Sequence, residues 1–138
     1  IKSLDLNIVL HSSRPKKLDN TDIYLVDTYG ETKNFFKISK IVFLGGSIIE
    51  HGGQNPLEAV RFGCKILHGK NIENFQDIYS LLKKNKQSIQ VNTYKQISSS
   101  LEKIFKTKND SAIFTNKIIK MGDEILFKAK KEIINLIK

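Results

Sequence analysis

Five short apolar runs punctuate residues 1–92: Ile8-Val9-Leu10, Ile23-Tyr24-Leu25-Val26, Ile41-Val42-Phe43-Leu44, Ile66-Leu67 and Ile89-Gln90-Val91. They lack the strict polar alternation of a strand with one wet face and suit strands covered on both sides, as in a parallel sheet. Glu31 to Ser39, Pro56 to Gly63 and Glu73 to Lys84 lie between them, each able to hold a helix of two or three turns as a right-handed crossover. Alternating strands and helices predict an α/β domain with a Rossmann-like parallel sheet flanked by helices.

Beyond residue 92 the periodicity is helical only. Ile97, Leu101, Ile104 and Phe105, then Ile125, Leu126, Ala129, Ile133, Leu136 and Ile137, recur at helical spacing and predict a helical tail over residues 93–138. The tail packs either on this domain's own sheet or on a further domain. Ser98-Ser99-Ser100 and Lys106 to Asp110 read as helix boundaries. Phe35-Phe36 is expected to pack a helix onto the sheet. Met121, Phe105, Phe114 and Phe127 are expected in the core, and so is the lone Cys64.

A chain of 138 residues accommodates one hydrophobic core, so a single domain is expected. One cysteine permits no internal disulfide and suits a reducing compartment. No run reaches the roughly 20 apolar residues needed to cross a bilayer, so the 138 residues are expected to be soluble. His11, His51 and His68 have no metal-ligand spacing and no Asp-x-Asp pair occurs, so neither a metal nor a cofactor is expected. The net charge of +9 is spread as lysine along the whole sequence. That balance draws a protein toward anionic surfaces, which keeps a basic module for RNA or an anionic membrane as an alternative. Aromatics interleaved with basic residues in the strands are missing, and nucleic acid is not expected.

The chemistry concentrates after the third run, in Gly45-Gly46-Ser47 and His51-Gly52-Gly53-Gln54-Asn55-Pro56-Leu57-Glu58. Asn55 suits an N-cap, Pro56 the first helical position and Glu58 the third, where its carboxylate would complete a capping box. Glycines before a helix let backbone approach a ligand, and free N–H groups there suit a phosphate. The same glycines equally suit a tight strand-to-helix turn, and the spacing matches neither the dinucleotide fingerprint nor the P-loop. Asp27 falls at a strand end, where it serves a ligand or caps the turn at Thr28.

The stretch from Val42 through Glu58 resembles the signature of bacterial 3-deoxy-D-manno-octulosonic acid (Kdo) transferases. Tyr24 to Glu31 resembles the same family's D-T-x-G-E segment, and Gly69 with Asn74-Phe75 resembles its G-P-x-x-x-N-F segment. The resemblance covers about Asp22 to Ile78. It implies a GT-B glycosyltransferase of lipopolysaccharide biosynthesis that moves Kdo from CMP-Kdo to a lipid A precursor, with another GT-B nucleotide-sugar enzyme as the alternative on the same fold. The parent enzyme would work at the cytoplasmic face of the Gram-negative inner membrane, and this chain would be its C-terminal donor-binding half.

By that resemblance Tyr29, Gly30, Glu31, Asn55, Pro56, Leu57 and Glu58 contact CMP. Glu58 would take the ribose hydroxyls, amides near Gly53 and Asn55 the phosphate, and Tyr29 and Gly30 the edge of the base. Gly45, Gly46, Ser47, His51, Gly52, Gln54 and Asn74 are further candidates. No catalytic residue is expected here, because the family's base is a glutamate of the N-terminal domain; the acceptor would also bind there. Lys65 and Lys70 replace two of the family's prolines, and its R-H-P-E-R segment has no match.

Overall fold

The computed structural model describes residues 5–107 and 111–137, and the chain divides into two compact units, Ile1–Phe35 and Phe36–Lys138. The first unit holds β1 (Ile8–Leu10) and β2 (Ile23–Leu25), paired in parallel with Ile8 opposite Ile23. The Asp22 and Ile23 amides both donate to the Asn7 carbonyl at 3.0 Å, and Asp22 accepts from the Asn7 amide at 2.9 Å. The strands' far ends are tied by Asp27, which accepts from the Ser12 amide at 2.9 Å and from the Ser12 hydroxyl at 2.6 Å. The Ser12 hydroxyl, and then its amide, hold the Asp27 carboxyl below its ordinary pKa. Asp27 thus clamps the strand ends through Ser12, a role beside the two that its position in the sequence left open.

Helix α1 (Thr32–Ile38) runs across the boundary between the units. Phe35 sets its ring 5.7 Å from that of His11 and 6.0 Å from that of Tyr24, within the first unit. Phe36 packs against the core of the second. The adjacent phenylalanines therefore serve different cores.

The second unit is built on β3 (Ile41–Leu44), β4 (Lys65–His68) and β5 (Ser88–Gln90), all parallel, in the order β3-β4-β5. The central strand β4 buries Ile66, Leu67 and His68, as its run without alternation requires. Between the strands lie α2 (Leu57–Val60) and α3 (Gln76–Lys84). One face of the sheet is covered by Ala59, Val60, Cys64, Tyr79 and Leu82, together with Phe114 and Ile118. The other is covered by Ile104, with Ile97 and Leu101, over Leu67 and Val91.

Those last helical residues belong to α4 (Tyr94–Lys106), so this part of the tail packs on the domain's own sheet. Ser98, Ser99 and Ser100 sit inside α4 and do not end it. The Thr93 hydroxyl caps the helix by accepting from the Gln96 amide at 3.3 Å, and the buried Ile97, Leu101 and Ile104 stripe carries the helix through the serines. Part of the expected Lys106 to Asp110 boundary, residues 108–110, lies outside the described residues.

Helix α5 (Ser111–Ile137) is 27 residues long, roughly 40 Å at 1.5 Å per residue. Phe114 and Ile118 anchor its first turns, whereas Ile125, Leu126, Phe127, Ile133, Leu136 and Ile137 are exposed. Phe105 (61% exposed) and Phe127 (69%) are consequently not core residues, and Met121 is only partly covered. The helix is longer than the face that covers it. No helix among the described residues is long and apolar enough to cross a membrane.

Candidate functional site

Two loops leave the carboxyl ends of β3 and β4, where ligands bind in open α/β sheets, and they are stitched together. The buried Ser47 hydroxyl donates to the Leu44 carbonyl at 2.6 Å and accepts from the Gly69 amide at 2.8 Å. The Ser47 carbonyl accepts from the Asn71 amide at 2.9 Å, and the Asn71 side-chain amide donates to the Ile48 carbonyl at 3.0 Å. Further along, the Asn74 amide donates to the Gly52 carbonyl at 3.2 Å, and the Gly53 amide to the Gly46 carbonyl at 3.2 Å.

The glycines are where this approach is tightest. Gly53 holds φ +80°, and a Cβ there would lie 3.1 Å from the Asn71 carbonyl oxygen. Gly69 lies so close to the Ser47 carbonyl that no Cβ can fit. Part of the glycine pattern therefore serves the packing of one loop on the other. The Gly53 amide is already committed, but those of Gly52, Gln54 and Asn55 have no protein acceptor among the described residues. A loop fixed at its base leaves these donors at its rim open to water or to an anion.

The start of α2 is partly as the spacing predicts. The Asn55 Oδ1 accepts from the Leu57 amide at 3.0 Å, but the helix begins at Leu57 and its N-cap position is Pro56, one residue later than expected. The helix is only four residues long, however, and turns toward Gly63 instead of completing two or three turns. Its dipole is correspondingly small, and the local amides are the donors that matter. The capping-box return bond is missing as well: Glu58 is exposed, and its carboxylate has no partner among the described residues.

Similarity to known proteins falls mainly on 3-deoxy-D-manno-octulosonic acid transferases, with a bifunctional glycosyltransferase/methyltransferase of Fusobacterium nucleatum, 30% identical over 85% of this chain, beside them. Across the whole chain it is 28% identical to the 3-deoxy-D-manno-octulosonic acid transferase of Haemophilus influenzae, covering 32% of that protein. Over 79% of its length it is 33% identical to the enzyme of the same name from Rickettsia prowazekii, covering 25% of that protein. The chain is a Kdo transferase homologue. It spans a quarter to a third of the length of these curated relatives. Its fold matches the crystal structure of the C-terminal CMP-Kdo binding domain of WaaA from Acinetobacter baumannii, with a TM-score of 0.75 and 22% identity over 86% of this chain and 62% of that one. No family model matches.

In this Kdo transferase homologue, Gly45 to Glu58 and Asn74 belong to the second unit and Tyr29, Gly30 and Glu31 to the first. Tyr29 is fully exposed, and Gly30 has φ +88° with open space where a Cβ would stand. Glu31 starts α1: its carbonyl accepts from the Asn34 amide at 2.9 Å and its carboxylate from the Asn34 side chain at 2.9 Å. His51 and Gln54 are exposed over the glycine loop, with His51 Cδ2 3.1 Å from where a Gly46 Cβ would be. Pro56 is buried beneath the start of α2. The Asn74 side chain is turned back toward the His51 carbonyl, 3.5 Å away.

Sequence reasoning missed two supports of this loop. Asn71 carries no periodic signal, yet it is 7% exposed and bonds the neighbouring loop twice. Tyr79, an apolar position of α3 by pattern, donates its hydroxyl to the Gln54 carbonyl at 3.1 Å. Burial pushes its pKa up to about 12, so the phenol keeps its proton for that bond. Cys64 is fully buried as expected, its thiol donating to the Phe36 and Ser39 carbonyls at 3.3 and 3.2 Å, and burial raises its pKa. A high thiol pKa keeps it from being a nucleophile.

His68, at the end of β4, is 4% exposed, and its ring centroid lies 4.3 Å from that of Tyr79. Nδ1 is 2.7 Å from the Gly69 carbonyl, which can only accept, so Nδ1 carries the proton. Burial, assisted by the nearby Lys83 charge, lowers the His68 pKa; the Gly69 bond opposes the shift. The unfolded chain therefore takes up a proton that the folded one refuses. Stability from this source is complete above the ordinary histidine range, about 6.5, and is lost as pH falls below it. Urea midpoints at pH 8 and pH 5.5 should fall less steeply for His68→Gln than for the parent. Equal falls would remove His68 from the account.

Proposed function

We propose that this chain is the donor-binding part of a Kdo transferase, receiving CMP-Kdo on the loop between β3 and α2. The reading rests on one arrangement: amides of Gly52, Gln54 and Asn55 without a protein acceptor among the described residues, close in sequence to the exposed Glu58 carboxylate, at the carboxyl edge of a parallel sheet. The donor's phosphate is met by these amides and its ribose hydroxyls by Glu58, which accepts two hydrogen bonds. The resemblance also assigns Tyr29, Gly30 and Glu31, in the first unit, to the cytidine; Tyr29 is fully exposed and Glu31 keeps one carboxylate oxygen for Asn34. Pro56 and Leu57 set the course of the chain under Glu58.

The acceptor, a lipid A precursor, and the catalytic base are assigned to a further domain, at an anionic membrane surface. The 138-residue chain on its own is accordingly expected to bind nucleotide and to transfer no sugar. Titration of the isotopically labelled chain with CMP should move the amides of Gly52, Gly53 and Asn55 in one saturable process. The same chain incubated with CMP-Kdo and lipid A precursor should give no product. Shifts confined to other regions would defeat the donor reading, and robust turnover would defeat the assignment of the chain as half an enzyme.

A further inference from the structure

Tyr79, in the first half of α3, is 2% exposed and reaches the loop between β3 and α2 from the inside. A phenol buried that deeply needs an acceptor, and its hydroxyl donates to the Gln54 carbonyl at 3.1 Å. The Tyr79 ring is held in turn by His68, with 4.3 Å between ring centroids, and His68 is fixed by the bond from Nδ1 to the Gly69 carbonyl at 2.7 Å. Satisfying a buried hydroxyl would be reason enough for the Gln54 contact. Its effect on the loop, however, lies at the other end of the same peptide unit.

A trans peptide unit is planar, and its C=O and N–H point in opposite directions. The unit joining Gln54 to Asn55 is trans, so drawing the Gln54 carbonyl inward to Tyr79 turns the Asn55 N–H outward. Asn55 is exposed, and its amide has no acceptor among the described residues. The same bond polarises the unit: a donor on the carbonyl oxygen strengthens the N–H across from it, by roughly 10–30% per bond in such a chain. The neighbouring units are held differently. The Gly53 amide is committed to the Gly46 carbonyl. The unit carrying the Gly52 amide has only a 3.5 Å contact from the Asn74 side chain to its carbonyl, that of His51. The unit carrying the Gln54 amide has, at the Gly53 carbonyl, no donor among the described residues. Of the three open amides, that of Asn55 has the firmest backing.

We propose that Tyr79 is a positioning residue for the donor's phosphate, acting through the peptide between Gln54 and Asn55 to aim and polarise the Asn55 N–H. The inference rests on the reading of this loop as the donor site. Burial holds the phenol pKa at about 12, so the hydroxyl remains a donor throughout the neutral range. Phenylalanine keeps the ring and its packing, so Tyr79→Phe removes the hold on Gln54 without emptying the core.

The test compares CMP with cytidine, which lacks only the phosphate, on the labelled 138-residue chain and on Tyr79→Phe. Affinities are taken from chemical shifts at constant ionic strength, from initial slopes where saturation is not reached. Tyr79→Phe should bind CMP roughly fivefold more weakly and cytidine within about twofold of the parent. Before any ligand is added, the carbonyl-carbon resonance of Gln54 and the amide-nitrogen resonance of Asn55 should already be displaced in the variant, since both report a donor on that carbonyl. Ile118→Val, which thins the same core cluster from α5, is the control for lost stability: its urea midpoint should fall while its CMP affinity stays that of the parent. Unchanged CMP affinity in Tyr79→Phe, equal weakening of CMP and cytidine, or an equal loss in Ile118→Val overturns the positioning role. A parent chain whose Gly52, Gly53 and Asn55 amides ignore CMP removes the donor reading itself, and this inference with it.

Discussion

Gly69→Ala should cost about 3 kcal/mol of stability or more, the largest loss expected from a single added methyl group in this chain. The new Cβ would meet the Ser47 carbonyl carbon at 2.5 Å and the Ile48 amide at 2.8 Å. Both are backbone atoms and cannot rotate away. Separating the loops to admit it would break the bond from the Gly69 amide to the Ser47 hydroxyl and that from the Asn71 amide to the Ser47 carbonyl. Each is worth about 1 kcal/mol, beyond the overpacking itself. The thermal midpoint should drop by on the order of 10 °C. Gly45→Ala is the control: nothing lies within 4 Å of its Cβ position and its φ is not in the left-handed region, so its melting should change little. Parallel melts of the two variants decide the matter, and a Gly69→Ala midpoint equal to that of Gly45→Ala would show that the loops are not rigidly joined.

This contrast marks how much of the site was readable from the sequence. The glycine-rich turn after β3 and the bond from the Leu57 amide to Asn55 were readable, because both are governed by chemistry within a few residues. What the glycines are for could not be read that way. The partners of Gly53 and Gly69 are Asn71 and Ser47, each some 20 residues away in sequence and brought near only by the pairing of β3 with β4. Periodicity names a strand; it does not say which loop will lie across it.

The fold was legible for the same reason that the tail was not. The run Ile66-Leu67 calls for burial on both faces and forms the buried central strand β4, and Ile41 to Leu44 forms the parallel strand β3 beside it although Phe43 is exposed. In α5 the helical period is equally clear, but period alone does not supply a partner. Phe114 and Ile118 find the core, while Phe127 and Leu136 continue the same pattern past its edge. Likewise, Ser98 to Ser100 read locally as a boundary and were overridden by Ile97, Leu101 and Ile104 packing on β4 and the end of β5.

Glu58→Gln should weaken CMP binding on the order of tenfold or more while leaving the fold nearly unchanged. A carboxylate that accepts two ribose hydroxyls contributes roughly 1.5 to 3 kcal/mol per bond, and the neutral amide keeps the shape but gives up the charge and one acceptor. A loss of about 1.4 kcal/mol is already tenfold in affinity. The competing role, closure of a capping box, predicts the reverse outcome, a stability loss of about 1 kcal/mol with affinity unaltered. Geometry separates these in advance, because the Leu57 amide bonds Asn55 and the exposed Glu58 carboxylate has no partner among the described residues. Asn55→Ala should therefore carry the capping loss of about 1 kcal/mol, and Glu58→Gln no more than a few tenths from the weak dipole of a one-turn helix. Titration of both variants with CMP, followed by chemical shifts, and a urea melt of the same samples give the two numbers for each. A Glu58→Gln chain that binds CMP as the parent does would remove the ribose contact from the proposal and leave the amides of Gly52, Gln54 and Asn55 to account for the nucleotide alone.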